Sequence, residues 1–548
     1  MLLADYIVDF LFDAGVRKIF MLSGTGSVQL DDAFARKRGM EYVCARHEAT
    51  AIVMAEAVAK LTNTIGVSVV TTGPGGTNAI AGVIEAWTDS VPVLVISGQV
   101  SSDQYIDDRA FGIQGFNIID NVKKFTKYSA FIDDPSTIKF HLEKALHEAF
   151  SDRPGPVWID IPMDLQSAKI DLDKMPGFTP EKNDSQNINN QVDDFLELVK
   201  QAKRPVVAFG RGVKLSNCKN ELLEFLRKTN IPSVSARMAN DILPHSDKNY
   251  FGMGGIRGRR SAFGVMKDAD LLITLGTSNC YTFFGDDEIL NKDCKLVVVN
   301  IDDKIFERKD IQIDFPIKCD LKKFLLQVNK KVKNINFETW LSNCQKVKND
   351  NPMVTKDLER NPINSYYLAK TLSEITDSRH IFTNDAGSSN YISSQSLNFD
   401  KGQRELTSGA FYTMGLTLPL AIGAAVSEPE SQIIAITGDG SIELNIQELQ
   451  TINVNNLNIK IVVINNGGYA SIRDSQDAMC GGRYTDDEQI LNFKKIADAF
   501  ELDFEIIQDY KLIKPTMEKV LSNDRPTIIE VVCDDSQYMI VPTKEEIK

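Results

Sequence analysis

Strand-length apolar runs, each closed by a turn and followed by a helical pattern, recur along the whole chain, and this alternation constrains the fold most. A strand that is apolar on both faces has to be covered on both, which βαβ units in a parallel sheet achieve. Three sets of runs are legible. GVSVVTTGPGG, VPVLVISGQ and GPVWIDIP belong to the first; RPVVAFG, DLLITLG and KLVVVNID to the second; HIFTNDAG, QIIAITGDG, IKIVVINNGG and PTIIEVVCD to the third. Polar sequence separates them, at Thr179 to Gln191 and again from Lys330 to Asn364, and reads as linker. At 548 residues the chain is too long for one hydrophobic core. The expectation is three doubly wound parallel-sheet α/β domains, at 1–175, 190–330 and 360–548. Ligands of such sheets bind beyond the carboxyl ends of the strands.

Composition narrows the function. With 61 basic and 75 acidic residues the net charge is −14, which gives a nucleic acid no counterion-release drive to bind. The longest apolar runs, such as Val91 to Ile96, fall far short of a membrane span. The first residues, MLLADYIVDFLFDAG, have helical apolar spacing and no basic flank, unlike a signal peptide. Eight scattered cysteines without a CxxC suggest reduced thiols in a cytoplasmic protein.

Two strand ends in the third set carry the strongest chemical signal. One is Gly438-Asp439-Gly440-Ser441; the other is Asn465-Asn466-Gly467-Gly468-Tyr469, with 24 residues between Gly440 and Asn465. A magnesium ion gripping a diphosphate wants hard oxygen donors: a carboxylate (Asp439), an amide (Asn466) and a backbone carbonyl (Gly468). The glycines let backbone approach the phosphates, and a helix starting near Ser441 would point its N-terminus at them. Either tetrad alone is also ordinary turn composition. Together, each after a buried strand, they form the signature of thiamine-diphosphate enzymes.

Thiamine chemistry needs a carboxyl that trades a proton with the pyrimidine ring, and an apolar pocket suits that exchange. Glu48 follows a short strand and opens an apolar helix in CARHEATAIVMAEAVAKL. Taken alone, it reads better as a helix N-terminal charge favoured by the dipole. Its neighbours carry a resemblance. Arg46-His47-Glu48-Ala49-Thr50-Ala51, followed by Thr71-Thr72-Gly73-Pro74-Gly75-Gly76-Thr77-Asn78, is similar in order and spacing to the RHEQGA and TSGPGATN motifs of the acetolactate synthase-like family. The similarity extends over essentially the whole chain.

That resemblance implies a pyrimidine-binding first domain, a central Rossmann-like domain and a diphosphate-binding third domain. It makes Glu48 the activating glutamate and adds Thr72, Pro74 and Asn78 to the cofactor site. Met414, in AFYTMG before Leu418-Pro419, becomes the residue that wedges the cofactor into its bent shape. Gly387, Ser388 and Ser389, in NDAGSS, take the place of the diphosphate-side loop, with two serines where the family has Gln-His. Phe111, Gln114 and Lys127 fall where the family places substrate-channel residues. The implied cofactors are thiamine diphosphate and Mg2+. The central domain is left open between a bound FAD and none, because the family's GARFDDR stretch is here Gly276-Thr277-Ser278-Asn279-Cys280-Tyr281. The implied particle is a homodimer or homotetramer with active sites at the subunit interface; no binding site for a regulatory subunit is legible.

The chemistry implied is decarboxylation of a 2-oxo acid, with pyruvate as donor, and carboligation of the acyl carbanion to a second carbonyl. Simple decarboxylases of this fold use an adjacent His-His pair; here the histidines are His47, His141, His147, His245 and His380. The GYPGGA loop of true acetolactate synthases is replaced by Met21-Leu22-Ser23-Gly24-Thr25-Gly26, so Gly24 and Thr25 wall the reacting carbon differently. Together with the segment after Asn466, this loop resembles the polysaccharide-operon members, one of which acts on a nucleotide-linked keto-sugar acceptor. Two alternatives stay open: a decarboxylase releasing an aldehyde, and a catalytically silent scaffold.

Overall fold

A computed structural model describes residues 1–106, 108, 109, 111–181, 187–284, 289–485, 491–543 and 547, so the 179–191 linker lies partly outside the described residues. Their strands form three six-stranded sheets, and every strand pairing within them is parallel. The first comprises β1 (Lys18–Met21), β2 (Glu41–Cys44), β3 (Gly66–Val70), β4 (Val93–Gln99), β5 (Tyr128–Phe131) and β6 (Val157–Pro162), in the order β2-β1-β3-β4-β6-β5. The second comprises β7 (Pro205–Phe209), β8 (Ser233–Ser235), β9 (Tyr250–Met253), β10 (Leu271–Leu275), β11 (Lys295–Asn300) and β12 (Phe315–Lys318), in the order β12-β11-β10-β7-β8-β9. That is the dinucleotide-fold order, with its switch point between β7 and β10. The third comprises β13 (His380–Thr383), β14 (Arg404–Leu406), β15 (Gln432–Gly438), β16 (Ile459–Asn465), β17 (Asp503–Ile507) and β18 (Thr527–Val532), and its order, β14-β13-β15-β16-β18-β17, repeats that of the first.

The central strands β3, β4 and β7 are buried along their whole length, as their unbroken apolar runs require. Between the first and third sheets runs the helix Glu48–Thr62, buried from Thr50 to Leu61. It is mostly apolar and packs on the helices Pro74–Thr88 and Thr417–Ser427. Two glycines permit the approach: a Cβ at Gly82 would lie 2.6 Å from the Ala49 carbonyl, and one at Gly423 2.3 Å from that of Met54. Forcing a methyl into such a contact costs about 1–3 kcal/mol. Domains one and three are thereby joined through the helix that begins at Glu48. Among the described residues no helix is long and apolar enough to cross a membrane.

Candidate active site

The carboxyl ends of β15 and β16 bring the two glycine-rich tetrads together. Asp439 is buried, and backbone amides satisfy its carboxylate: Gly440 N–H donates to Oδ1 at 2.8 Å, and those of Asn466 and Gly468 to Oδ2 at 3.1 and 2.9 Å. Burial pushes this carboxyl above its ordinary range, against the pull of those three amides and of Arg473. Gly467 and Gly468 adopt φ of +78° and +105°, conformations strained for any side chain. Gly440 has to lack a Cβ as well, since one would lie 2.6 Å from the Tyr469 ring.

The sequence placed a helix N-terminus at Ser441. The chain instead makes a 3-10 turn there, Ile442–Asn445, and the α-helix starts at Glu448. The helix whose first turn meets the tetrads is Gly387–Ser396: Asn466 Nδ2 reaches Ser388 Oγ at 3.4 Å, and a Cβ on Gly438 would lie 3.8 Å from Ser389 Oγ. Its free N–H groups and dipole suit an anion.

Two residues of this half-site went unrecognised in the sequence as functional. Asp385, fully buried, accepts from Gly415 N–H (2.9 Å), Ser441 Oγ (2.7 Å) and Ala386 N–H (2.6 Å), tying the Met414 loop to the GDGS turn. Arg473 donates to the Asn466 carbonyl at 2.6 Å and to that of Gly467, fixing the metal-side turn from behind. Both stand beside residues that were recognised, but only the fold reveals their partners.

The second half-site lies at the carboxyl edge of the first sheet. Glu48 is the first residue of its helix and is buried. Asn78 Nδ2 donates to Glu48 Oε2 at 3.0 Å. His47 caps the helix, its Nδ1 accepting from Ala49 N–H at 3.2 Å, and Glu448 of the third domain accepts from Arg46 N–H (2.9 Å) and Thr50 Oγ1 (2.6 Å). The loop of Gly24 and Thr25 is one side chain away. A Cβ on Gly24 would meet that of Thr71 at 2.5 Å, and the Thr71 methyl lies under Gly75, itself beside Glu48 Oε1. Thr72 Oγ1 is buried without a partner, 2.0 Å from a Cβ built on Gly26. Pro74 opens the helix that carries Asn78, and the Gln114 carbonyl, at a residue with φ +66°, closes on Gly73. Phe111 is buried edge-on against Tyr105.

Lys127 is placed differently. It precedes β5, at the amino edge of the sheet, where its Nζ donates to the Ser151 carbonyl and, at 3.0 Å, to Ser151 Oγ. Strand polarity thus separates it from Glu48 within this chain, because β5 runs parallel to its neighbours.

The donors suit the implied ligands. Asp439, the Asn466 amide and the Gly468 carbonyl are hard-oxygen donors of the kind Mg2+ takes, and they stand at adjacent strand ends beside the first turn of the Gly387–Ser396 helix. At the switch point of the middle sheet, a cavity of about 640 Å3 is lined by Gly210, Arg211, Arg237, Gly276, Thr277 and Asn300. Arg211 Nη2 is buried there without a partner, and Gly210 and Gly212 leave no room for side chains against Gly276 and Thr277. This fits a phosphate-bearing dinucleotide.

Comparison with known proteins gives three matches in register with the three sheets. The N-terminal TPP binding domain of thiamine pyrophosphate enzymes matches residues 1–129, their central domain 192–328, and their C-terminal TPP binding domain 385–531. The acetolactate synthase large subunit of Lactococcus lactis subsp. lactis is 30% identical over 98% of this chain and 93% of its own. That of Buchnera aphidicola subsp. Acyrthosiphon pisum is 31% identical, over 98% and 95%. The acetolactate synthase isozyme 3 large subunit of Escherichia coli is 29% identical over the same shares. The chain belongs to the thiamine pyrophosphate enzyme family and is similar along its whole length to acetolactate synthase large subunits.

Proposed function

We propose that the protein decarboxylates a 2-oxo acid, with pyruvate as donor, and passes the two-carbon acyl unit to a second carbonyl compound. The observation that carries this is the pair of half-sites: a buried Glu48 oriented by Asn78, and a hard-oxygen cradle around Asp439. Bound thiamine diphosphate supplies the electron sink for breaking the carbon–carbon bond. Asp439, Asn466 and the Gly468 carbonyl are the residues that would hold Mg2+ at the diphosphate site. Gly440, Ser441, Gly387, Ser388 and Ser389 line the phosphate side, and Met414 supports the bend. Glu48 exchanges a proton with the pyrimidine ring, while Thr72 and Pro74 shape that pocket. The Gly24–Thr25 wall, with Phe111 and Gln114, bounds the space for the acceptor, and a nucleotide-linked keto-sugar is the acceptor class proposed.

Carboligation is favoured over aldehyde release by the state of the histidines. His47, next to Glu48, uses Nδ1 as a helix cap; His141 bonds Tyr128, His245 accepts from Phe399 N–H, His380 pairs with Asp377, and His147 packs on Phe178. No pair of histidines stands beside Glu48. The reading includes an active unit of two chains, each giving one half-site to a neighbour. The switch-point cavity supports FAD as a further ligand.

Purified protein with thiamine diphosphate, Mg2+ and pyruvate, followed by carbon dioxide release and product mass, tests the reading. A branched-sugar product when a nucleotide-linked keto-sugar is added is expected. Acetaldehyde as the sole product would favour a simple decarboxylase, and no release with any 2-oxo acid a silent scaffold.

A further inference from the structure

Where the three domains meet lies a buried charged cluster that the proposed chemistry does not use. The helix Glu48–Thr62 contributes Glu56 and Lys60, and the helix Pro74–Thr88 contributes Glu85, with Asp89 at its end; all four are buried. Arg211 enters from the middle domain and donates from Nη1 to the carbonyls of Asp89 (2.8 Å) and Ser90 (3.1 Å). Lys60 Nζ lies 2.6 Å from Glu56 Oε1 and 2.7 Å from Asp89 Oδ2, and donates to the Thr407 carbonyl at 2.9 Å. Asp89 Oδ1 accepts from Gly409 N–H at 2.9 Å. Thr413 Oγ1 donates to Glu85 Oε2 at 2.8 Å. The cluster therefore grips, at three points, the segment that ends at Met414. The same helix that carries Glu85 carries Asn78, the partner of Glu48.

Counting charges assigns the state of Glu85. Three carboxyls, Glu56, Glu85 and Asp89, face two cations, Lys60 and Arg211, and the nearby Arg153 is paired with Asp302. The buried set is neutral only if one carboxyl holds a proton, and an excess buried charge is costly. Asp89 touches Lys60 directly, and Glu56 does too. Both oxygens of Glu56 and Oε1 of Glu85 are buried without a hydrogen-bond partner, but Glu56 has the Lys60 ammonium against it and Glu85 has no cation. The proton therefore falls to Glu85, while its Oε2 accepts from Thr413.

We propose that Glu85 is a positioning residue of the thiamine site: as a neutral carboxylic acid it holds, through Thr413, the loop that presents Met414. This rests on the reading of Met414 as part of that site. Burial, with Asp89 and Glu56 beside it, pushes Glu85 up to about 8. A carboxyl raised in this way contributes stability that is complete at acid pH and lost as pH rises through about 8. Above that pH the loop loosens because an ionised Glu85 is an unpaired buried charge beside Asp89 and Glu56, relieved only by moving out toward water, and not because Thr413 loses its acceptor.

Thiamine diphosphate binding to the full-length protein with Mg2+, measured by calorimetry without substrate between pH 6 and 9, is the test. E85Q keeps a neutral acceptor for Thr413, so its affinity should match wild type at pH 7 and exceed it several-fold at pH 9. T413V, nearly isosteric, should bind several-fold more weakly at pH 7, and E85A at least as weakly. A wild-type chain that binds no thiamine diphosphate overturns both this inference and the proposed function. Wild-type binding with the same alkaline decline in E85Q, or with T413V unimpaired, overturns the positioning role alone.

Discussion

The first and third domains lay their strands down in the same order and put opposite chemistry at the ends of them. In the first, a single carboxyl stands at a helix start with one side-chain donor on it. In the third, a carboxyl at a strand end is locked by three backbone amides and backed by Arg473, an anchor with no freedom to turn. The strand scaffold is common to both; the loops decide which groups each carboxyl meets, and the roles proposed for Glu48 and Asp439 rest on that difference. Function has to be argued from such sites and not from topology.

The contrast can be broken experimentally. The largest effect is expected for E48Q: turnover should fall about 100- to 10,000-fold, the range for losing a general acid–base group, with thiamine diphosphate affinity nearly unchanged. D439A should do the reverse, weakening Mg2+-dependent cofactor binding by about 100-fold or more, the loss for a metal ligand being at least that of its supporting groups. Co-producing E48Q with D439A sharpens the point. If the half-sites come from different subunits, mixed dimers contain one intact site and activity returns; if one chain supplies both, none does. Next in size, G423A places a methyl against the Met54 carbonyl and should cost about 1–3 kcal/mol, read as a lower Tm, because it wedges domains one and three apart. The smallest effect is expected for S388A, whose contact with Asn466 is 3.4 Å long: a loss of about 1 kcal/mol or less in cofactor binding, read by calorimetry.

Much of this was legible in the sequence, for physical reasons. Long, fully buried strands such as β3, β4, β15 and β16 write themselves as continuous apolar runs. Short strands do not: β8 has three residues, and β12 and β17 are edge strands with one buried position each, so neither set produced a recognisable run. At the site, the tetrads around Asp439 and Asn466 were visible because metal and phosphate demand particular residues in particular loops. Asp385, Arg473 and Glu85 were not, since each acts across a gap in sequence, on Ser441, Asn466 and Thr413, that only packing closes. The helix expected at Ser441 reflects the same limit: a glycine turn shows where the backbone bends and not whether a 3-10 turn or an α-helix follows. Lys127, expected in a substrate channel, stands within the single chain at the amino edge of its sheet, bonded to Ser151.

Exchange of the thiazolium C2 proton of bound thiamine diphosphate with solvent deuterium reads the function assigned to Glu48 without a substrate. Quenched-flow NMR of wild type and E48Q, both saturated with cofactor and Mg2+, should show exchange at least about 100-fold slower in E48Q. Equal rates in the two proteins would contradict the role given to Glu48 and the pairing of the two half-sites.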